Sequence, residues 1–315
     1  MLSSKKTGFT LVELLVVMSI IGILAAALTT QITKARDTSR AVRCKANLRN
    51  LAQAAINYGV DTSILPWAGS HEWVYSGRSG NSYKTSVGLR RGWVDWTKSD
   101  GSQEHWPKDD YKGGPSFSGK GNLITACAGD QGYMSVTNGT LWTYMGKDLS
   151  AYICDAHVTQ YRSKMASKKD PIYRSYFMNG YFGYNKDYKP VTLHRDIYLN
   201  SLSSSGSASS LLMFAELPIT QDGVDAKAAV DGVLESVIVG YNDGRDTPAT
   251  PAREILGFNH LVGKQKVAHL AYADGHVDAI SVGVAGLKAD QLKGLAYFLC
   301  NGNDVPKDSA KWLIP

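Results

Sequence analysis

The sequence predicts an α+β fold: a long N-terminal helix, half transmembrane and half amphipathic, packed on a mainly antiparallel β-sheet domain. Three observations predict it. Residues 9–28 form an apolar run broken by one ionisable side chain. Residues 30–58 then carry apolar positions at alternating steps of three and four, the repeat of one helical face. The C-terminal third holds strand-like pieces that alternate around an Asp-Gly turn signal. The length of 315 residues fits one stalk and one body, with 43% apolar residues to fill a core. A formal charge of +6, with no arginine-rich run and no zinc-finger spacing, gives no reason to expect nucleic acid as a partner.

Residues 1–8 are short, polar and basic through Lys5 and Lys6, and read as a leader. Residues 9–29 follow as a membrane helix, beginning FTLVELLVVMSIIGILAAAL. Twenty such residues span about 30 Å, the thickness of a bilayer's hydrocarbon core. The lysines favour a cytoplasmic N-terminus and an exported body. An ordinary secretory signal has a shorter apolar core followed by small residues, and Ala25, Ala26 and Ala27 imitate that site, so this alternative stays open. Residues 30–59 continue the helix, with Ala41, Cys44, Leu48, Leu51, Ala55 and Tyr58 on one face. Arg36, Arg40, Arg43, Lys45 and Arg49 occupy much of the rest, as a solvated face or one near lipid head groups. Gly59 suits the position just past a helix end.

Glu13 fits a plain membrane anchor badly, because a carboxylate inside an apolar helix is expensive and usually functional. A cut after Gly8 would make Glu13 the fifth residue of the mature chain and give Phe9 a free amino group. One subunit's carboxylate then pairs with a neighbour's ammonium and fixes axial register. The run KKTGFTLVELLVV closely resembles the class III signal of type IV pilins and type II secretion pseudopilins. That resemblance implies cleavage after Gly8 by a prepilin peptidase, methylation of Phe9, and Glu13 as the assembly glutamate. It implies partners among other pilin or pseudopilin subunits, and a single-pass protein of the bacterial inner membrane with a periplasmic or extracellular body. The first proline is Pro66, so softening of the helix in a filament would fall to Gly22.

CKANLRNLAQAAINY resembles a second signature, that of a large pilin-like subfamily carrying a cysteine then Asn-Leu here and a His…Asp-Gly element near the C-terminus. Cys44, Asn47 and Leu48 match it, and KVAHLAYADGHV resembles the C-terminal element. The subfamily histidine usually precedes Asp-Gly by ten positions, whereas His260 lies fourteen before Asp274, which implies a longer connection. Subfamily members often show Cys-Pro-Ser where this chain has Cys154-Asp155-Ala156, so only the cysteine carries over. The four cysteines form no C-x-x-C pair, which argues against thioredoxin chemistry and a thiolate zinc site. Export permits disulfides, with some cysteines staying reduced and buried as the alternative; three complete pairings exist, with Cys127–Cys154, both in the body, as the candidate pair.

Residues 60–315 form the exported β-rich domain. Residues 60–125 are an insertion rich in Gly, Ser and aromatics, including Trp67, Trp73, Trp93, Trp96 and Trp106. Buried, these rings form the core of a loop-rich region; exposed, they stack on a glycan or meet a secreted substrate. YRSYFMNGYFGYN suggests strands joined at Asn179-Gly180. LLMFAEL suggests a buried strand; Glu216 at its end is either a functional residue or, by default, a carboxylate that is capped or reaches solvent. Asp274-Gly275 offers left-handed residues for a tight hairpin turn. His260, His269, His276, Asp274 and Asp278 invite a metal reading, with His276 and Asp278 on one strand face. Some pseudopilins hold calcium in a C-terminal loop, but an imidazole-rich set fits calcium poorly, and a hairpin turn with surface histidines explains these residues more simply. Residues 290–300 read as a short helix. No Gly-x-Ser-x-Gly, His-Glu-x-x-His or P-loop is present, so the chain is expected to be a structural subunit without cofactor, not an enzyme. The competing reading is a carbohydrate-binding or enzymatic domain displayed on a prepilin-type anchor.

Overall fold

The computed structural model describes residues 10–68, 92–94, 129–164, 171–179, 182, 198–200, 208–218, 233–234 and 256–283. Helix α1 (Leu11–Thr62) is continuous over 52 residues, about 78 Å at 1.5 Å per residue. Thr10 is its N-cap, in extended conformation. Gly59 does not end it: α1 runs on to Thr62 and stops where Ser63 turns left-handed, at φ 66°. Gly59 serves close packing instead, since a Cβ there would lie 3.1 Å from Leu65 Cδ2. Helix α2 (Gly129–Thr137), a 3-10 turn (Leu149–Tyr152) and helix α3 (Asp155–Lys164) follow.

The strands are β1 (Tyr176–Asn179), β2 (Leu212–Glu216), β3 (Val233–Leu234), β4 (His260–Val262), β5 (Gln265–Tyr272) and β6 (Val277–Gly283). They form one sheet in the order β3-β1-β2-β5-β4, with β6 also paired to β5. Every pairing is antiparallel except β1 with β3. Consecutive residues of β1 and β2, and of β5 from Val267 to Tyr272, are buried, so these strands are covered on both faces. The strand suggested before Asn179-Gly180 is β1, whereas the one suggested after it falls on residues that, apart from Phe182, lie outside those described. The edges of β1 are taken by β2 and β3, and the Asn179 amide donates to the Leu212 carbonyl at 2.8 Å. Gly180 lies outside the described residues.

One face of α1 lies on this sheet, against β2, β4, β5 and β6. Cys44, Leu48, Leu51, Ala52 and Ala55 from that face join Tyr176, Met178, Phe214, Ala271 and Val277 in the core. The apolar stripe read at steps of three and four is therefore the body-facing side, and burying each large aliphatic member is worth about 1.5–3 kcal/mol. The basic side is exposed; Arg43 pairs with Asp155 at 2.7 Å across to α3, an exposed contact of small energetic weight. Trp67 and Trp93 of the aromatic insertion are buried, which takes these two rings out of any glycan surface. Trp93 meets Phe214 edge-on at 5.1 Å and stacks on Tyr152 at 6.2 Å. Trp73, Trp96 and Trp106 lie outside the described residues, as do Cys300 and residues 290–300.

The candidate pair Cys127–Cys154 is corrected. Cys154 is bonded to Cys44, with Cα atoms 5.5 Å apart, and Cys127 lies outside the described residues. Cys44 faces the body from α1, and Cys154 sits where the 3-10 turn hands over to α3, so docking the helix brings the two buried sulfurs together. Asn47, one turn on, donates its amide to the carbonyls of Ser150 (3.1 Å) and Ile153 (2.9 Å) and fixes the same junction. The bond spans a sequence separation of 110 residues, and loop-closure entropy for a loop near that length is about 4.7 kcal/mol. Cys44→Ala is expected to lower unfolding stability in denaturant by about 2–5 kcal/mol. Non-reducing peptide mapping of the wild type is expected to recover the Cys44–Cys154 peptide; a Cys127–Cys154 peptide would contradict this pairing.

Candidate functional site

The first site is the outer half of α1. Every side chain from Leu11 to Thr29 is exposed, Leu11 by 80%, although the segment is long and apolar enough to cross a membrane. An exposed apolar surface of this extent needs lipid or other protein around it. Glu13 is the acidic residue of its first turn. Its carboxylate accepts from the Thr10 backbone N–H and the Thr10 hydroxyl, each at 2.8 Å, while the Glu13 N–H donates to Thr10 Oγ1 at 3.3 Å. This reciprocal capping box satisfies helix-end donors and places the negative charge at the positive end of the helix dipole. The carboxylate thus points back to the start of the helix, at Thr10. Gly8 and Phe9 themselves lie outside the described residues.

A second polar cluster is buried in the body, and Glu216 is its centre. Far from reaching solvent, Glu216 is 0% exposed at the end of β2. Its Oε1 lies 2.6 Å from His269 Nδ1 and 3.1 Å from His260 Nε2, and Oε2 accepts from the Asn259 amide at 3.2 Å. Burial opposes its charge, but His260 and His269 outweigh burial and hold the carboxyl at about 2. Gly257 makes the arrangement reachable. Its N–H bonds to the Glu216 carbonyl at 2.8 Å, and a Cβ there would come within 2.6 Å of the Leu217 backbone. Nearby, His260 Nε2 is 3.5 Å from Cys154 Sγ, so the cluster adjoins the disulfide. His157 is also buried, its Nδ1 2.9 Å from Ser175 Oγ, and burial pushes it down to about 3.

The five histidine and aspartate residues read as a metal set divide into two groups. His260 and His269 join Glu216 inside the body, whereas Asp274 and His276 lie in the β5–β6 turn and Asp278 at the start of β6, all three open to solvent at least in part. There Asp274 Oδ1 accepts the His276 N–H at 3.0 Å and lies 2.5 Å from His276 Nδ1; Asp278 is 3.8 Å from His276 Nε2. Gly275 alone is left-handed, at φ 88°, so the turn is a three-residue one closed by the Gly275 N–H on the Tyr272 carbonyl. The Asp274 contacts are those of an aspartate shaping its own turn. Sequence reading missed the role of Glu216 because its partners lie 44 and 53 residues downstream. The available signal was a carboxylate closing an apolar strand, with histidines in two later strand-like runs.

The chain matches the family model of the prokaryotic N-terminal methylation motif over residues 3–29. Among curated proteins and solved structures, none matches the chain. The motif supports a prepilin-like signal, and with it a precursor of the pilin or pseudopilin type in general. Such a motif implies processing by a peptidase and assembly with other subunits, and the single apolar helix is consistent with membrane anchoring.

His157 generates a pH prediction. Its native value of about 3 lies below the ordinary 6.5, so the unfolded chain binds the proton first as pH falls. The stability it contributes is present above about 6.5 and is lost downwards at up to about 1.4 kcal/mol per pH unit. Between about pH 6 and 5, above the carboxylate range, His157→Asn is expected to flatten the slope of unfolding free energy. An unchanged slope would contradict the buried neutral imidazole.

Proposed function

We propose that this chain is a structural subunit, a pseudopilin or minor pilin, of a type II secretion or type IV pilus-like filament. It is cut after Gly8, methylated on Phe9 and packed into the filament through α1, with the body on the exported side of the inner membrane. The observation that carries this reading is Glu13: an acidic residue in the first turn of α1, at the start of its exposed apolar outer half and within a matched methylation motif. A helix that only anchored the body would gain nothing from a carboxylate at that depth. In a filament the same carboxylate, held by Thr10, meets a neighbour's terminal ammonium and sets the axial step between subunits. The length of 315 residues favours a minor component over a compact major subunit. No catalytic role is assigned to the body.

Glu13→Ala is expected to leave membrane insertion and leader removal intact while reducing filament incorporation at least about 10-fold, equivalent to losing about 1.4 kcal/mol of contact. Site-directed cross-linking between subunits in membranes measures it. Incorporation at the wild-type level would remove the register role. Gly8→Leu is expected to block leader removal, seen as an unprocessed band; normal processing would place the cut elsewhere.

A further inference from the structure

Glu216, His260 and His269 are brought together by sheet register: β5 pairs with β2 along one part of its length and with β4 along another. Their side chains converge on one point inside the body, with Glu216 Oε1 as the hub and the two imidazole rings 4.8 Å apart. We propose that Glu216 Oε1, His260 Nε2 and His269 Nδ1 ligate one divalent transition-metal ion of the zinc class.

The distances fit with a small adjustment. Zinc bonds of about 2.0–2.2 Å in a tetrahedral arrangement put ligand atoms about 3.3 Å apart. Here the carboxylate oxygen stands 3.1 Å and 2.6 Å from the two nitrogens. Two imidazoles and one carboxylate form a donor set that zinc uses and calcium, which takes oxygen ligands, does not favour. The carboxylate is oriented from outside the set. The Asn259 amide donates to Oε2 at 3.2 Å and the His269 N–H to Oε1 at 3.3 Å, supporting bonds of the kind that hold metal-binding carboxylates. Cys154 Sγ is within 3.5 Å of His260 Nε2 but is spent in the disulfide, so among the described residues the oxidised chain offers three side-chain ligands here.

The test uses the full-length, untagged chain in detergent with its disulfide intact, stripped of metal by a chelator. Zinc chloride is titrated against a chromophoric competitor, and cobalt chloride is added as a spectroscopic probe. One zinc per chain is expected, with a raised unfolding temperature and a low-symmetry cobalt spectrum. His269→Gln is expected to weaken zinc binding at least about 100-fold and Asn259→Ala about 10–100-fold. His276→Ala, on the exposed turn, is expected to leave it unchanged. The wild type and His276→Ala decide the matter even if a core variant does not fold. Absence of stoichiometric zinc on the folded wild type would overturn the site, as would loss of binding in His276→Ala or its survival in His269→Gln.

Discussion

The burial of one face of α1 against the sheet is the constraint on which the rest depends. A helix this long has no reason to hold together with the body unless some of its length is given to the core. Here Cys44, Leu48, Leu51, Ala52 and Ala55 do that, and the Cys44–Cys154 bond locks the docked state. The outer turns then leave the body as a rigid extension, because no proline interrupts them and the helix keeps its hydrogen bonds past the point where packing stops. One element therefore serves two environments. Its inner half is ordinary protein core, and its outer half is exposed apolar surface that only lipid or other helices can cover.

The body shows how the docking is held. Asn47 binds the 3-10 turn, Cys154 follows it directly, and His260 brings β4 to the same sulfur. Glu216 then joins β2, β4 and β5 through charged hydrogen bonds in a place where an unpaired carboxylate would be costly. Such a network adds less to stability than its contacts suggest, but it tolerates few alternative registers. The three strands can slide past one another only by stranding a buried charge.

Much of α1 was legible in the sequence, because both an apolar run and a stripe at steps of three and four are local signals. Its end was not: Gly59 carries a helix-stop signature, but the neighbouring Leu65 and Leu199 give it a packing role that no local pattern reveals. The buried strand LLMFAEL and the β5–β6 hairpin were legible for the same reason as the helix. The partner of Cys154 was not, because choosing Cys44 requires knowing which face of α1 docks where. The partners of Glu216 were not legible on similar grounds. A carboxylate ending a strand usually reaches water, and only the pairing of β2 with β5 and β5 with β4 places two imidazoles over it. At the N-terminus the position of Glu13 could be read directly, since its meaning is set by distance along the chain.

The proposed subunit role requires that residues 1–8 be removed and that the helix beginning at Phe9 act as an assembly element. Intact mass and peptide mass spectrometry of the protein purified from a membrane that contains its processing enzyme test this most directly. The expected result is a mature chain that starts at Phe9 and carries one added methyl group on its terminal nitrogen. A mature chain starting near Ala27 would contradict it, because the apolar run would then be a discarded signal and Glu13 would be absent from the finished protein.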